Sequence, residues 1–264
     1  MHVDLYDRYS FRMSLVHQLD PRIKVVITFL FILSNVLMPD GAWLAFAFSW
    51  GFILSISSLS GLGWGYVIKR SFIAIPFALA ALSSVFALPG QPIFALEIGS
   101  RQFVGTDAGI LRFASVMLRS WLSVQMAILL TATTPFPDLI HSLRHLRVPA
   151  PLVAVISFMY RYLFVLTNEV IRLLRARNAR SAYLQDGGST PLLWRARVAG
   201  NMAGQLFLRS YDRSERIYSA MLARGFQGQL LTINPHKMRR LDWLIGFLTL
   251  VLLISLQLLA RYTY

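Results

Sequence analysis

The sequence predicts an all-α integral membrane protein with about five transmembrane helices and a long basic segment between the fourth and the fifth. Of its 264 residues, 56% are hydrophobic and only 14% are charged, which is too apolar for one soluble domain. Several apolar runs approach the roughly 20 residues that a span requires. The basic segment, residues 136–241, carries 16 of the 26 Lys and Arg residues against 5 Asp and Glu.

Charge and cysteine content exclude several classes of function. A net charge of +14 suits nucleic acid, but basic residues also mark the cytoplasmic side of membrane proteins, so we expect no nucleic-acid partner. The chain has no cysteine, which excludes disulfides, thiolate metal sites and cysteine nucleophiles. Charged residues within the first 20 positions, with no long apolar run, argue against a cleaved signal peptide. These are Asp4, Asp7, Arg8, Arg12 and Asp20.

Five apolar stretches are candidate spans, and they divide the chain into an amino-terminal region (1–135), a cytoplasmic region (136–241) and a last membrane helix (242–264). Pro39-Asp40-Gly41 predicts a tight turn between the first two spans. Pro89–Asp107 predicts a long loop, because it lacks helical or strand periodicity. The candidate spans are Ile23–Met38, Ala42–Leu59, Ser71–Leu88, Leu111–Thr134 and Trp243–Ala260.

Basic residues set the expected orientation. Arg8, Arg12 and Arg22 precede the first span, Lys24 lies at its start, and Lys69 and Arg70 precede the third, whereas the connections at 39–41 and 89–110 hold one basic residue, Arg101. The amino terminus, the 60–70 connection and the basic segment are therefore expected in the cytoplasm. With five spans, the carboxyl terminus lies outside.

Pro151–Thr167 is apolar enough to be a sixth span. Arg161 lies near its middle, however, and an unpaired arginine at the bilayer centre costs roughly 2.5 kcal/mol or more. We therefore interpret this stretch as a helix packed beneath or partly within the cytoplasmic leaflet, and a sixth span is the alternative.

Two long helices are predicted within the basic segment. The first runs from Leu152 to Ala182 without Pro or Gly, about 45 Å long, and ends before the turn Asp186–Pro191. The second runs over Leu192–Arg224, and Gly225 supplies the left-handed residue that ends it. A shorter helix, Phe136–Leu146, precedes both.

Small residues along the second long helix predict a helix–helix seam. Leu192, Ala196, Ala199, Ala203 and Leu206 follow a 4-3-4-3 spacing. Glycines four residues apart permit close backbone approach. The predicted seam is therefore centred on Ala199, Gly200, Ala203 and Gly204.

Three motifs together resemble the transmembrane T component of energy-coupling factor (ECF) transporters. Ser14–Lys24 is similar to that family's amino-terminal signature, and Ala223-Arg224-Gly225 matches the second of its two Ala-Arg-Gly motifs. Tyr160–Leu166, with Glu169 and the arginines after it, resembles the cobalt/nickel branch, the CbiQ-like proteins. The resemblance covers nearly the whole chain.

The resemblance implies a non-catalytic subunit that joins two cytoplasmic ATPase subunits to a substrate-binding membrane subunit in a bacterial or archaeal cytoplasmic membrane. Neither candidate for the first motif, Ala176-Arg177-Asn178 or Ala179-Arg180-Ser181, ends in glycine. Arg180 is favoured because it lies nearer the break at Asp186–Pro191. The residues expected to dock the ATPases are Ala179, Arg180, Arg177, Ala223, Arg224 and Gly225.

Other polar residues predict little chemistry. The chain contains no phosphate-binding Gly-x-x-x-x-Gly-Lys-Ser/Thr loop, so ATP hydrolysis must come from a partner, and we expect no cofactor. His141 and His145 have a metal-ligand spacing, but we favour an interfacial patch and assign no metal. An enzyme acting on an anionic lipid or nucleotide is one alternative, and a stand-alone carrier is another.

Three further expectations concern charged residues near the spans. Asp20 is expected to cap a helix that begins at Pro21, and Arg22 and Lys24 to lie at the lipid headgroups. Arg119, about a third of the way into its span, is expected to be paired or to face another subunit.

Overall fold

The computed structural model describes residues 9, 14–87, 89–98, 101–181, 192–228 and 238–262. The chain forms two compact units. We call residues 2–142 with 234–264 the bundle unit and residues 143–233 the paired-helix unit. The turn predicted at Asp186–Pro191 lies outside the described residues.

Helices dominate the described chain. In the bundle unit, two 3₁₀ turns at Phe72–Ala74 and Ala81–Ser83 separate the short helices of the third apolar stretch. The helices are α1 (Leu15–Gln18), α2 (Pro21–Leu37), α3 (Trp43–Ser60), α4 (Trp64–Ser71), α5 (Ile75–Ala80), α6 (Ser84–Ala87), α7 (Asp107–Thr133), α8 (Phe136–His145), α9 (Ala150–Ser181), α10 (Leu192–Ala223) and α11 (Arg240–Tyr262). The strands are β1 (Pro92–Ile98) and β2 (Arg101–Thr106).

Helix α2 begins as its sequence predicts. Pro21 occupies the first turn, where its missing N–H costs nothing. The Asp20 carboxylate accepts a hydrogen bond from the Arg22 backbone N–H at 2.9 Å. This contact satisfies one of the free donors at the helix start, so the predicted cap is confirmed.

Helix α7 is the centre of the bundle unit and packs against α2, α3, α4 and α6, and α11 packs against α2 and α3. The core between them is apolar and includes fully buried Phe31, Ile53, Leu122 and Leu129. In contrast, α11 exposes Leu244, Phe247 and Leu248. An outward apolar face of this kind is what a lipid-facing helix requires.

The predicted span Ser71–Leu88 does not form one continuous helix. Pro76 lacks a backbone donor and disfavours the helix interior. Serine side chains also bond to nearby backbone carbonyls, with Ser83 Oγ 3.2 Å from Ala80 O and Ser84 Oγ 2.7 Å from Ala81 O. Such bonds compete with the helical ladder and bend it. The stretch therefore forms α4–α6 with 3₁₀ turns between them.

The loop predicted at Pro89–Asp107 is also wrong, because most of it forms an antiparallel hairpin. Strands β1 and β2 pair from Pro92 opposite Thr106 to Ile98 opposite Arg101. The register shifts between Pro92 and Phe94, which is consistent with proline's inability to donate to a ladder.

Four described helices are long and apolar enough to cross a membrane by length and composition, namely Trp43–Ser60, Asp107–Thr133, Ala150–Arg180 and Arg240–Tyr262. Helix α9 is therefore among the candidates, although its apolar half was expected beneath the leaflet. Helix α2 is 17 residues long, or about 25 Å, which is somewhat short of a typical span.

Helices α9 and α10 pack together in the paired-helix unit. Their bounds lie within two residues of the predicted ones. Half-buried side chains on α10 recur mostly every four residues and mark its inward face. They are Val198, Met202, Leu206, Ser210, Arg213, Ile217 and Met221.

The residues of the predicted seam do not lie between α9 and α10. Ala199, Gly200, Ala203 and Gly204 are all exposed, and a Cβ added at either glycine meets no atom within 4 Å. The larger side chains of the inward face lie towards α9, and the small residues lie away from it.

Candidate functional site: the arginine-bearing helix pair

The carboxyl-terminal half of α9 and the amino-terminal half of α10 enclose a basic cleft of about 620 Å³. Arg177 and Arg180 line it from α9, and Arg209 lines it from α10. Together with Arg172, these side chains give four positive charges against the single negative charge of Glu169, a net of +3. The cleft is therefore suited to an acidic group.

The residues of the first arginine motif differ in exposure. Ala179 and Arg180 are exposed, whereas Arg177 is half-buried. Both arginines line the cleft. The structure thus places both candidate contacts at one opening, with Arg180 the more accessible of the two.

Glu169 joins the two helices across this cleft. Its Oε1 accepts a hydrogen bond from Arg209 Nη1 of α10 at 2.8 Å, and its Oε2 accepts one from Arg172 Nη2 of α9. The Glu169 side chain is only 10% exposed, whereas its partners are 57% and 67% exposed. Sequence reasoning missed this bridge, since spacing alone cannot show which arginine of α10 faces Glu169.

The second arginine motif forms the carboxyl-terminal cap of α10. Gly225 has φ +79°, its N–H donates to Leu222 O at 2.9 Å, and the Phe226 N–H donates to Met221 O at 3.0 Å. This pair of bonds is the Schellman arrangement, which needs a left-handed residue. The predicted helix end at Gly225 is confirmed.

The cap places Arg224 at the far end of the helix pair. Ala223 and Arg224 are exposed, and the arginine cation lies at the negative end of the helix dipole. Phe226 then turns back onto α9, where its ring lies 6.5 Å from the Phe158 ring in an edge-to-face arrangement. The motif is therefore held on a fixed corner.

An apolar groove of about 470 Å³ lies beside this second end. Phe158, Tyr162 and Leu166 line it from α9, and Ile217 and Met221 line it from α10. The two openings of the helix pair are thus chemically different, one basic and one apolar. The two arginine motifs lie at opposite ends of the antiparallel pair.

Lys24 of the amino-terminal signature is buried in the bundle unit, contrary to its predicted place at the headgroups. Its Nζ donates to His17 O at 3.1 Å and to Thr133 O at 3.2 Å. It therefore ties the turn before α2 to the end of α7, where terminal carbonyls lack helical partners.

Asp242 joins the same region to α11. Its Oδ2 accepts from the Arg239 N–H at 2.8 Å, in the manner of a capping box. Its Oδ1 accepts from the Asp20 N–H at 3.3 Å. The signature thus stabilises the meeting point of α2, α7 and α11. Asp20 and Asp242 are 222 positions apart, so local sequence patterns could not reveal this link.

Arg119 is paired, as expected. Its Nη2 lies 2.6 Å from Asp40 Oδ1 and 2.6 Å from Met38 O. The guanidinium therefore holds the turn after α2 against α7 and satisfies a carbonyl at the end of α2.

Among the residues that the structure describes, no group of three or more His, Asp or Glu side chains could hold a metal ion. His141 and His145 both lie on α8. Their role as an interfacial patch stays a prediction.

The comparisons with known proteins agree on one family. The CbiQ family model, described as "Cobalt transport protein", matches residues 12–236. The chain is 28% identical to the energy-coupling factor transporter transmembrane protein EcfT of Leuconostoc gelidum, covering 81% of this chain and 80% of that one. It is 28% identical to the cobalt transport protein CbiQ of Rhodobacter capsulatus over 60% of this chain and 63% of that one.

An uncharacterised protein of Methanocaldococcus jannaschii is 25% identical over 95% of this chain and 84% of its own length. The family match spans both units, and with them the buried signature, the basic cleft and the capped arginine corner. The chain therefore belongs to the CbiQ family of cobalt transport proteins and is a membrane protein of the ECF transporter T-component type.

Proposed function

We propose that this chain is the energy-coupling subunit of an ECF-type transporter that imports cobalt or nickel ions. In this role it links two cytoplasmic ATP-binding subunits to a substrate-binding membrane subunit and carries out no catalysis itself. Its amino terminus and its helix pair lie in the cytoplasm. The observation that carries the proposal is the presence of an exposed arginine at each end of one antiparallel helix pair.

Each arginine end offers a contact suited to a protein partner. A guanidinium pairs with carboxylates through two parallel hydrogen bonds, which fixes direction as well as distance. Arg224 projects from a corner closed by the Schellman bonds, and Arg180 lines a cleft with a net charge of +3. Two separate docking ends also fit a two-fold ATPase dimer, with one end for each subunit.

Cobalt is the favoured cargo because the matching family is described by it, and nickel is the alternative. We propose that the ion passes through the substrate-binding partner. The bundle unit would anchor that partner in the membrane, and the helix pair would pass on the closing motion of the ATPases. Exposed apolar faces, such as the Leu244–Leu248 stretch of α11, are available to lipid or to the partner.

Reversing the charge at the second end tests the proposal. Arg224→Glu is expected to leave the amount of protein in the membrane unchanged, because Arg224 is exposed and the cap bonds use backbone atoms. Uptake of ⁵⁷Co²⁺ into cells expressing the whole transporter is expected to fall about tenfold or more, since a carboxylate would repel an acidic docking site. The amount of ATP-binding subunit that co-purifies with the chain should fall in parallel.

Arg216→Glu is the matched control, because it makes the same charge reversal on the exposed surface of α10 eight residues earlier. It is expected to keep uptake within a factor of about two, as surface charges contribute little. Wild-type uptake and normal co-purification in Arg224→Glu would contradict the docking role. Arg177→Glu and Arg180→Glu, compared in the same assay, identify the contact of the first motif.

A further inference from the structure

We infer that Glu169 is the positioning residue that fixes the crossing of α9 and α10, so that movement at one arginine end reaches the other. The effect on transport rests on the proposed coupling function. The role of Glu169 in fixing the crossing angle does not. Neither arginine motif contains this residue. Its two ion-pair partners, Arg172 and Arg209, are also outside both motifs.

The ion pair lies where the two openings of the helix pair meet. On α9, Leu166 lines the apolar groove and Glu169 lines the basic cleft. On α10, Ser210 lines the groove and the adjacent Arg209 lines the cleft. The Glu169–Arg209 contact therefore marks the crossing point. A change in the crossing angle is a rotation of one helix relative to the other about this contact.

Apolar packing around this point is weak. None of the described side chains of α10 is buried, and its inward face is only half-buried. Nonspecific apolar contact of this kind tolerates sliding and rotation, whereas hydrogen-bonded ion pairs have a preferred direction. The crossing angle thus depends on the polar contact more than it would in a densely packed pair.

Burial distinguishes Glu169 from an ordinary surface ion pair. Its side chain is nine-tenths buried and accepts hydrogen bonds from guanidiniums on both helices. Isolated exposed pairs contribute little, but networks with fixed geometry contribute more. Arg172 holds the carboxylate from its own helix while Arg209 approaches from the other, so one carboxylate sets the relative placement of both helices.

A spin-label distance measurement tests the geometric part. The native chain has no cysteine, so Val155→Cys on α9 and Ser219→Cys on α10 give one unique labelled pair. Both positions are exposed and lie well away from the crossing. The whole transporter complex in nanodiscs is expected to give one narrow distance distribution, which broadens when Glu169→Gln removes the charge.

A charge swap separates positioning from general damage. Glu169→Arg combined with Arg209→Glu restores an opposite-charge pair across the helices and is expected to restore the narrow distribution. Glu215→Gln, the same change at an exposed carboxylate of α10, is the matched control and is expected to leave the distribution unchanged.

The functional part is measured as cobalt ions imported per ATP hydrolysed by the reconstituted complex. Glu169→Gln is expected to retain ATP hydrolysis and ATPase binding but to lower this ratio about fivefold, and the charge swap is expected to recover it. An unchanged distance distribution in Glu169→Gln would overturn the inference. So would a broadened distribution with an unchanged ratio. Failure of the ATPase docking proposal would show separately, as wild-type uptake in Arg224→Glu.

Discussion

Backbone geometry at single residues explains why the second arginine motif ends in glycine. Gly225 adopts φ +79°, a region that costs other L-residues roughly 1 kcal/mol or more. A Cβ added there meets no atom within 4 Å, so the requirement is conformational rather than steric. The glycine fixes where α10 stops, and hence where Arg224 projects.

Two glycine-to-alanine changes on this helix should therefore have opposite effects. Gly225→Ala is expected to destabilise the helix pair by about 1 kcal/mol through backbone strain. Gly204→Ala, in the exposed interior of α10 with open space around it, is expected to stabilise it by about 0.5 to 1 kcal/mol through helix propensity. Thermal unfolding of the purified protein, followed by circular dichroism at 222 nm, measures both.

If both variants changed the melting temperature by the same amount in the same direction, Gly225 would not require its left-handed conformation. Uptake adds a second readout. Gly225→Ala is expected to lower transport because it displaces Arg224, whereas Gly204→Ala is expected to leave transport unchanged.

At the scale of elements, the short helix α6 packs on α7 by way of a glycine. A Cβ at Gly109 would lie 2.5 Å from Val85 O and 2.8 Å from Val85 Cα. These are backbone atoms and cannot move aside as a flexible side chain can. The N–H of the same glycine donates to the Thr106 cap at 3.2 Å, so this residue joins the hairpin, α6 and α7.

Gly109→Ala is expected to destabilise the bundle unit by roughly 1 to 3 kcal/mol, the usual cost of overpacking. Gly51→Ala is the matched control, because Gly51 lies within α3 with no atom within 4 Å of an added Cβ. The fluorescence-monitored melting temperature of detergent-solubilised protein is expected to fall for Gly109→Ala alone. A melting temperature unchanged by Gly109→Ala would contradict the close packing of α6 on α7.

Local signals in the sequence predict some elements well. Proline and glycine set the bounds of α8, α9 and α10, and the Asp20-Pro21 pair sets the start of α2. The same signals fail at Ser71–Leu88, because hydropathy measures how apolar a stretch is and not whether its backbone stays helical. Local signals fail again at β1 and β2. These strands are formed by hydrogen bonding to each other and show no alternation of apolar and polar residues in the sequence.

In the candidate site, too, some features follow from local sequence signals and others do not. The exposed ends, Arg180 and Arg224, follow from motifs and helix bounds. The small-residue spacing on α10 does not mark the face towards α9, where larger residues such as Val198 and Met202 lie instead. Contacts between distant positions, such as Glu169 with Arg209 and Asp20 with Asp242, depend on how helices pack and have no local signature.

At the scale of the whole molecule, the number of spans determines which side of the membrane each end occupies. Helix α9 is long and apolar enough to cross, yet its Arg161 and its basic second half favour a position at the cytoplasmic surface. Five crossings put the carboxyl terminus outside, and six put it inside. Because the chain has no cysteine, single introduced cysteines can decide between them.

Labelling of intact cells with a membrane-impermeant maleimide is the measurement. Gln91→Cys and Tyr262→Cys, both at exposed positions, are expected to label in intact cells, because the proposed orientation puts them outside. Gly65→Cys, exposed with open space around its Cβ, is expected to label only after permeabilisation. Labelling of Gln91→Cys without Tyr262→Cys would show that α9 crosses the bilayer. That outcome would place both arginine motifs outside, beyond the reach of a cytoplasmic ATPase, and docking at either arginine end would then be impossible.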